Sequence, residues 1–252
     1  MKAAFRQLRI RQMLESQEFV DLETLTHELD ASESSVRRDL ASLESEGVLK
    51  RVYGGAMAAQ ASSSHILDFA WQSSRMGEEK QRIATLAAGL IEDGQTVLFD
   101  GGSTAALVAR GLVNRSLHVM TNSLPIADIF ADARQIEVTL TGGYLYPRLR
   151  AMVGPLCEQM LSGVSADVLI MGIGGVTEAG FSNNNTLVVG PEHRMIEVSR
   201  KVVVVTDHTK FGRAAMIPVA PLTMADTVVT DTALETRYRQ MLEACDVEVL
   251  LA

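Results

Sequence analysis

A chain of 252 residues can form one large domain, or a small domain joined to a medium one. With 47% hydrophobic residues it can bury a sizeable core, which excludes global disorder, and no run approaches the roughly 18 apolar residues of a membrane span. The net charge of −8 argues against a uniformly basic surface, and two isolated cysteines (Cys157 and Cys245) rule out a disulfide framework. A reducing cytoplasm is the expected location, since the N-terminus opens on a charged helix-like segment and not on a signal peptide.

Residues 3–16 read as a first helix. A short extended piece at Phe19-Val20 leads to Asp21, a helix N-cap, and Leu22, Leu25 and Leu29 then follow at the spacing of a second, short amphipathic helix. Asp30-Ala31 makes a turn and Ser32 caps a third helix, on which Val36, Leu40 and Leu43 form the buried seam. A step of about 100° per residue puts Ser34, Arg38 and Ala41 on the opposite face, flanked by Ser35 and Arg37. Glu46-Gly47 stops that helix, and Lys50-Arg51-Val52-Tyr53-Gly54-Gly55-Ala56 reads as a small basic hairpin.

Small hydroxyl side chains beside two guanidinium groups are what close approach to a DNA groove requires. A reading helix followed by a basic hairpin is the layout of a winged helix-turn-helix, with the wing on the neighbouring backbone. Residues 1–57 hold eight Lys/Arg against ten Asp/Glu, so charge alone would not suggest DNA. The cations are nevertheless clustered: Arg6, Arg9 and Arg11, then Arg37 and Arg38, then Lys50 and Arg51, with the acids mainly elsewhere at Glu15, Glu18, Asp21, Glu23 and Glu28. An isolated Arg-Arg pair usually only solvates a surface helix. Here the preceding helix, the turn, the cap and the hairpin all agree on DNA binding, by Ser32, Ser34, Ser35, Arg37 and Arg38 in the groove and by Lys50, Arg51, Tyr53 and Gly54 in the wing.

The run from Ser32 to Leu40 resembles the helix-turn-helix signature of the DeoR family of bacterial transcriptional regulators, and Arg51–Ala56 resembles its wing. Ser35 and Val36 stand where Thr and Ile are usual, and Tyr53 where His is frequent.

Residues 58–74, rich in Ala and Ser, read as an exposed linker between a DNA-binding domain at 1–57 and a second domain at 75–252. From about residue 75 the pattern changes. Ile83, Leu86, Ala87 and Leu90 form a helical stripe, and then short apolar runs each end in a polar or glycine-rich cluster. Val97–Phe99 runs into Asp100-Gly101-Gly102-Ser103-Thr104, Leu117–Met120 into Thr121-Asn122-Ser123, and Ile136–Leu140 into Thr141-Gly142-Gly143. Val168–Met171 precedes Gly172-Ile173-Gly174-Gly175, Val202–Val205 precedes Asp207, and Val228-Val229 precedes Thr230-Asp231. A final helix carrying Leu234, Tyr238, Met241, Leu242 and Cys245 leads to a last strand near 247–251. Continuous apolar strands alternating with amphipathic helices predict an α/β fold with a mostly parallel, open sheet covered on both faces.

Ligands of such sheets bind at the carboxyl ends of the strands. Asp100-Gly101-Gly102-Ser103-Thr104 enters a helix, where glycines let a ligand approach the backbone and a helix N-terminus with hydroxyls suits a phosphate. An ordinary strand-to-helix turn would look similar. Thr121, Asn122 and Ser123 would add donors and acceptors, or equally cap a helix. Gly142, Gly143, Gly172 and Gly174 permit tight turns. Lys210, within Asp207-His208-Thr209-Lys210, offers a compact cation, and Asp207 serves equally well to organise that loop. His27, His65, His118, His193 and His208 form no i, i+4 pair, so neither a metal site nor a cofactor is expected. Both cysteines read as small core hydrophobes.

Residues 75–235 resemble the sensor domain of the same family, which is similar in fold to ribose-5-phosphate isomerase. The resemblance implies that Asp100, Gly102, Ser103, Thr104, Thr121, Asn122 and Lys210 line an effector pocket for a phosphorylated sugar or sugar derivative, that the chain is a repressor of a carbohydrate operon, and that its other partner is double-stranded operator DNA. Reading two half-sites implies a homo-oligomer, dimer or tetramer. The isomerase carries a pair of aspartates on the loop matching Gly172–Gly175, one of them its general base; this chain has no carboxylate there, and Glu178 is the nearest downstream. An isomerase-like enzyme with an accessory N-terminal domain is therefore the lesser alternative. Many family members also carry a Glu and a Lys where this chain has Val188 and Glu192.

Overall fold

The computed structural model describes residues 3–16, 19–46, 48–52, 55–58 and 76–252, and divides into two units, 1–75 and 76–252. In the first unit, helices α1 (Ala3–Ser16), α2 (Leu22–Leu29) and α3 (Glu33–Ser45) accompany a small sheet of β1 (Phe19–Asp21), β2 (Leu49–Val52) and β3 (Gly55–Ala58). Asp21 starts α2 by accepting the backbone N–H of Thr24 at 2.6 Å, a cap typically worth about 1 kcal/mol. Asp30, left-handed at φ 45°, ends α2 and turns the chain into Ser32. Leu25, Leu29, Val36, Leu40 and Leu43 then meet Ile10, Leu14, Leu49 and Ala56 in one core. The strands pair antiparallel in the order β1-β3-β2, so β2 and β3 form the expected hairpin. Ala58, assigned from sequence to the linker, is the last residue of β3 and pairs with Leu49. Tyr53, Gly54 and residues 59–75 lie outside the described residues.

The second unit is built on a seven-stranded parallel sheet in the order β15-β14-β12-β9-β4-β5-β6. Its strands are β4 (Thr96–Phe99), β5 (Leu117–Thr121), β6 (Ile136–Leu140), β9 (Ala166–Met171), β12 (Ser199–Val205), β14 (Thr227–Thr230) and β15 (Glu248–Leu251). Helices α4 (Gly77–Ala88), α5 (Ser103–Gly111) and α6 (Leu124–Phe130) serve one face, where Phe99 meets Phe130 with ring centroids 6.0 Å apart. Helices α7 (Pro155–Ser162), α8 (Thr186–Glu197) and α9 (Thr236–Glu243) cover the other, over Leu98, Leu169, Met171, Val202, Val204 and Val228. Burial on both faces is why the inner strands β4, β9, β12 and β14 are apolar without alternation, whereas the edge strands β6 and β15 carry exposed residues.

Two accessory pieces were not legible in the apolar pattern. One is the hairpin of β7 (Tyr144–Tyr146) and β8 (Ala151–Val153); the other is an antiparallel sheet of β10 (Gly175–Thr177), β11 (Gly180–Asn183) and β13 (Ile217–Ala220). From β4 the chain runs outward through β5 and β6, then returns to place β9, β12, β14 and β15 on the other side. The loops after β4 and β9 therefore flank the topological switch point, where open α/β sheets leave a crevice.

Candidate functional site

In the first unit the third helix presents Ser34, Arg37 and Arg38 to solvent, opposite the buried Val36, Leu40 and Leu43. Ser32 caps this helix through its backbone. Its hydroxyl makes no cap bond and instead meets the hydroxyls of Ser34 and Ser35 at 3.1 and 3.0 Å. Arg37 pairs with Glu33 one turn earlier at 2.5 Å, and Arg38 donates to the Ser34 carbonyl at 3.3 Å.

The acids are not kept away from the cations, contrary to the sequence expectation. Arg6 meets the buried Asp39 at 2.6 Å and ties α1 to α3, while Arg11 meets Glu46 at 2.6 Å. Arg51 donates to Glu44 through both its backbone N–H and its guanidinium, which holds the Glu44 carboxyl below its ordinary range. Arg9, Arg38 and Lys50 meet no carboxylate among the described residues. Arg6 thus belongs to the packing between helices and not to an outer face.

In the second unit the expected residues gather at the carboxyl ends of β4 and β5. Asp100, 5% exposed, follows β4, and burial raises its carboxyl from an ordinary 3.8 to about 7, opposed by the backbone N–H of Gly101. A Cβ on Gly101 would touch Ser123 at 3.8 Å and Asn122 Oδ1 at 4.0 Å, so the loops after β4 and β5 are in contact there. Gly102 caps α5 at φ 150°, a conformation that favours glycine, with open space where a side chain would be. Ser103 and Thr104 open that helix, both buried.

Thr121 has no exposed surface. Its hydroxyl donates to the Phe99 carbonyl at 2.9 Å and accepts the Ser123 N–H at 3.0 Å, so it locks the loop in place. Asn122 donates to the Met152 carbonyl at 3.2 Å, but its Oδ1 and the Ser123 hydroxyl are buried with no partner. Buried polar atoms are rarely left unpaired, and an exception needs a cause.

The glycines divide. Gly172 is partly exposed with open space around it. Gly143, at φ 127°, would place a Cβ 2.7 Å from the Val153 carbonyl; Gly174 would place one 2.7 Å from Asn183 Oδ1. Both are therefore glycine because backbone or side chain passes close by. Gly142 donates to the Met160 sulfur at 2.9 Å. Asp207 organises its own loop, accepting the Thr209 N–H at 3.0 Å and the Thr209 hydroxyl, and Lys210 is the half-buried last residue of that turn. Cys157 is buried, as its reading as a core residue requires.

Three residues were missed as site members. Lys80 of α4 is only 6% exposed and donates to the Ser103 hydroxyl at 3.1 Å. It stands three residues before Ile83 on the buried stripe, and a cation at such a position was the available signal. Glu192, noted only as a departure, is 1% exposed; its Oε1 accepts from Asn183 at 2.5 Å and its Oε2 has no partner. Burial and the neighbouring Asp100 push its carboxyl well above the ordinary range. Asp231, also buried, accepts the His208 backbone N–H and contacts its Nδ1, each at 2.8 Å.

A helix-turn-helix unit with a wing-like hairpin, followed by an open α/β unit with polar loops gathered at its switch point, is the makeup of a ligand-sensing transcriptional regulator. Comparison with known proteins agrees. The DeoR-like helix-turn-helix domain model matches residues 6–62 and the DeoR C terminal sensor domain model matches 75–232. The chain belongs to the DeoR family, and is a transcriptional regulator rather than an enzyme.

Among its relatives are the glycerol-3-phosphate regulon repressor of Escherichia coli, 33% identical over 96% of each chain, and the transcriptional repressor GlcR of Bacillus subtilis, 30% identical over 88% of this chain and 86% of that one. Among solved structures, ribose 5-phosphate isomerase A of Methanocaldococcus jannaschii aligns over 54% of each chain at 19% identity, with a TM-score of 0.40. No helix among the described residues is long and apolar enough to cross a membrane.

Proposed function

We propose that this regulator is a cytoplasmic repressor of a carbohydrate-use operon (sugar, alditol or sugar acid), acting as a homodimer or tetramer and released or retained by a phosphorylated sugar-like effector. Two relatives are named as repressors, one of a glycerol-3-phosphate regulon. The observation that carries the effector reading is Asn122 Oδ1, a buried acceptor without a donor beside Gly101, next to the open space that Gly102 leaves at the α5 N-terminus. The α5 N-terminus, the Ser103 and Thr104 hydroxyls, Lys80 and Lys210 take the phosphate. Asp100, Asn122 and Ser123 take the rest of the molecule, and Gly101, Gly102 and Gly172 let it approach the backbone. Thr121 and Gly174 hold the surrounding loops, and Gly142 and Gly143 do the same for the adjoining hairpin.

On the DNA side Ser32, Ser34, Ser35, Arg37 and Arg38 enter the major groove, and Lys50 and Arg51, with Tyr53 and Gly54 of the same hairpin, meet the backbone. Effector and operator are linked by a coupling free energy of about 1–3 kcal/mol, an affinity change of roughly 5–150-fold. The test is an anisotropy titration of labelled operator with and without phosphorylated sugars, alditols and sugar acids. A shift in operator affinity with one such class supports the reading; no shift with any of them refutes it.

A further inference from the structure

We infer that Tyr238 of α9 is a positioning residue for the anion end of the effector site. It clamps the loop that carries Lys210, so that effector affinity is set in part by a helix outside the loops gathered at the switch point. This deepens the effector reading above and rests on its assignment of Lys210 to the anion.

The loop after β12 is fixed on both sides of Lys210. Before it, His208 is tied to the residue that follows β14. Its backbone N–H donates to Asp231 Oδ2 and its Nδ1 meets Asp231 Oδ1, each at 2.8 Å. Asp231 also accepts the Ala233 N–H at 3.1 Å, so this anchor is itself held. After Lys210, the Gly212 N–H donates to the Val176 carbonyl of β10 at 2.9 Å.

A further restraint comes from α9. The Phe211 ring, buried, packs on Tyr238 with centroids 5.6 Å apart, inside the range of a favourable aromatic pair. A Cβ on Gly212 would collide with the Tyr238 hydroxyl and lie 2.9 Å from its Cζ, so glycine at 212 makes room for the tyrosine. Arg237 lies over the Tyr238 ring, its Cζ 4.5 Å from the centroid, and its guanidinium meets Glu235 at 3.0 Å. Tyr238 thus touches the two residues that follow Lys210. It lies outside residues 75–232, which the sensor-domain model matches, so family membership does not point to it.

Lysine is a compact charge on a flexible stem, and its place is set by the backbone that carries it. A backbone already in position lowers the ordering cost of binding. A loop that kept this position only about a tenth of the time would bind about tenfold more weakly.

The test is phosphorus NMR line broadening of inorganic phosphate titrated with the full chain at constant ionic strength. It gives a Kd for the native protein and for variants whose folding is checked by their melting transitions. Lys210→Ala and Tyr238→Ala are each expected to weaken binding about tenfold, whereas Tyr238→Phe, which keeps the ring, binds as the native chain does. Because Tyr238 acts through Lys210, the double variant binds no more weakly than Lys210→Ala alone, a coupling that a merely structural residue does not show. Tyr238→Leu fills the same space without stacking and replaces the alanine variant if that one fails to fold. Native affinity in Tyr238→Ala alongside a lowered Tm would overturn the inference. So would losses that add in the double variant, or a Tyr238→Phe protein as weak as Tyr238→Ala. In each of these cases Lys210→Ala alone still weakens binding, and the effector reading stands. Phosphate that does not bind, or that binds Lys210→Ala as tightly as the native chain, removes the anion reading together with the inference.

Discussion

Replacing Asp100 by Asn tests the electrostatics of the crevice without any knowledge of the effector. Folding takes this carboxyl from an ordinary 3.8 to about 7, and burial is the first cause. The folded chain therefore holds a proton that the unfolded chain has released between about pH 4 and pH 7. Stability contributed by that proton is complete below the unfolded value and is lost as pH rises through the folded one. Each pH unit in that window costs about 1.4 kcal/mol, so the whole interval amounts to about 4 kcal/mol. For a unit spanning residues 76–252 this corresponds to a fall in Tm on the order of 10 °C. Asp100 acts electrostatically on Glu192 of α8 and on the Cys157 thiol of α7, and the Glu192 carboxyl is itself raised. Asp100→Asn should flatten part of the slope, and Asp100→Asn with Glu192→Gln should flatten the rest. Thermal and urea unfolding of the ligand-free protein from pH 5 to pH 8.5, at constant ionic strength, measures both. Other carboxylates cancel in the difference between variants. Parallel profiles for the native protein and the double variant would refute the assignment of buried, proton-holding acids.

Arg38→Ala is expected to weaken operator binding by about 1–3 kcal/mol, or roughly 5–150-fold, in an anisotropy titration; unchanged affinity removes Arg38 from the groove. Arg6→Met should destabilise the first unit by about 3–5 kcal/mol in urea, because it strands the buried Asp39, and Arg6→Met with Asp39→Leu should recover most of that. Loss of the thermal shift caused by a phosphorylated sugar is expected for Lys80→Met and for Lys210→Ala; a full shift in either variant excludes that lysine from the anion end. Gly143→Ala should lower Tm, since its Cβ would lie 2.7 Å from the Val153 carbonyl at φ 127°, and an unchanged Tm would mean the hairpin yields freely.

What could be read from sequence was whatever repeats with a period. The seams Leu25/Leu29 and Val36/Leu40/Leu43, and the apolar strands at Val97–Phe99, Val168–Met171, Val202–Val205 and Val228-Val229, correspond directly to buried faces in the structure, while Ile136–Leu140 is an edge strand with only Ile136 buried. Local chemistry was equally legible at Asp21, whose carboxylate caps α2 as its type and position predict. The hairpin of β7 and β8 was not legible, because Tyr144 and Leu145 are exposed and three-residue strands carry no pattern. Tyrosine and leucine in solvent leave no trace of burial to detect. Pairings across the chain were also invisible. Nothing near Asp39 announces Arg6, 33 residues away, and nothing in Pro191-Glu192-His193 announces that this acid is sealed in beside Asp100. A local reading marks a charged residue as solvated by default, and Lys80, Asp39 and Glu192 all break that default in ways only the fold can show.

The same long-range pairing bears on how a regulator with a net charge of −8 can select DNA. Non-specific affinity comes almost entirely from cations neutralising phosphates, and it falls with salt in proportion to their number. Here Arg6, Arg11, Arg37 and Arg51 each already have a carboxylate partner, so a generic duplex gains little by approaching them. Arg37 and Arg51 are exposed and can exchange Glu33 and Glu44 for phosphate or a base edge, but only where the rest of the surface fits closely enough to offset the lost pairs. Arg6 cannot exchange, because its partner is buried. Weak attraction to arbitrary sequence together with retained groove contacts raises the ratio of specific to non-specific binding, which matters more to a repressor than affinity alone. The salt dependence of operator binding should accordingly be shallow, with a log-log slope set by the few cations free to meet phosphate. A slope as steep as about −6 for each bound protomer, one phosphate for each of the seven clustered cations, would show that the carboxylate pairs do not hold in the complex.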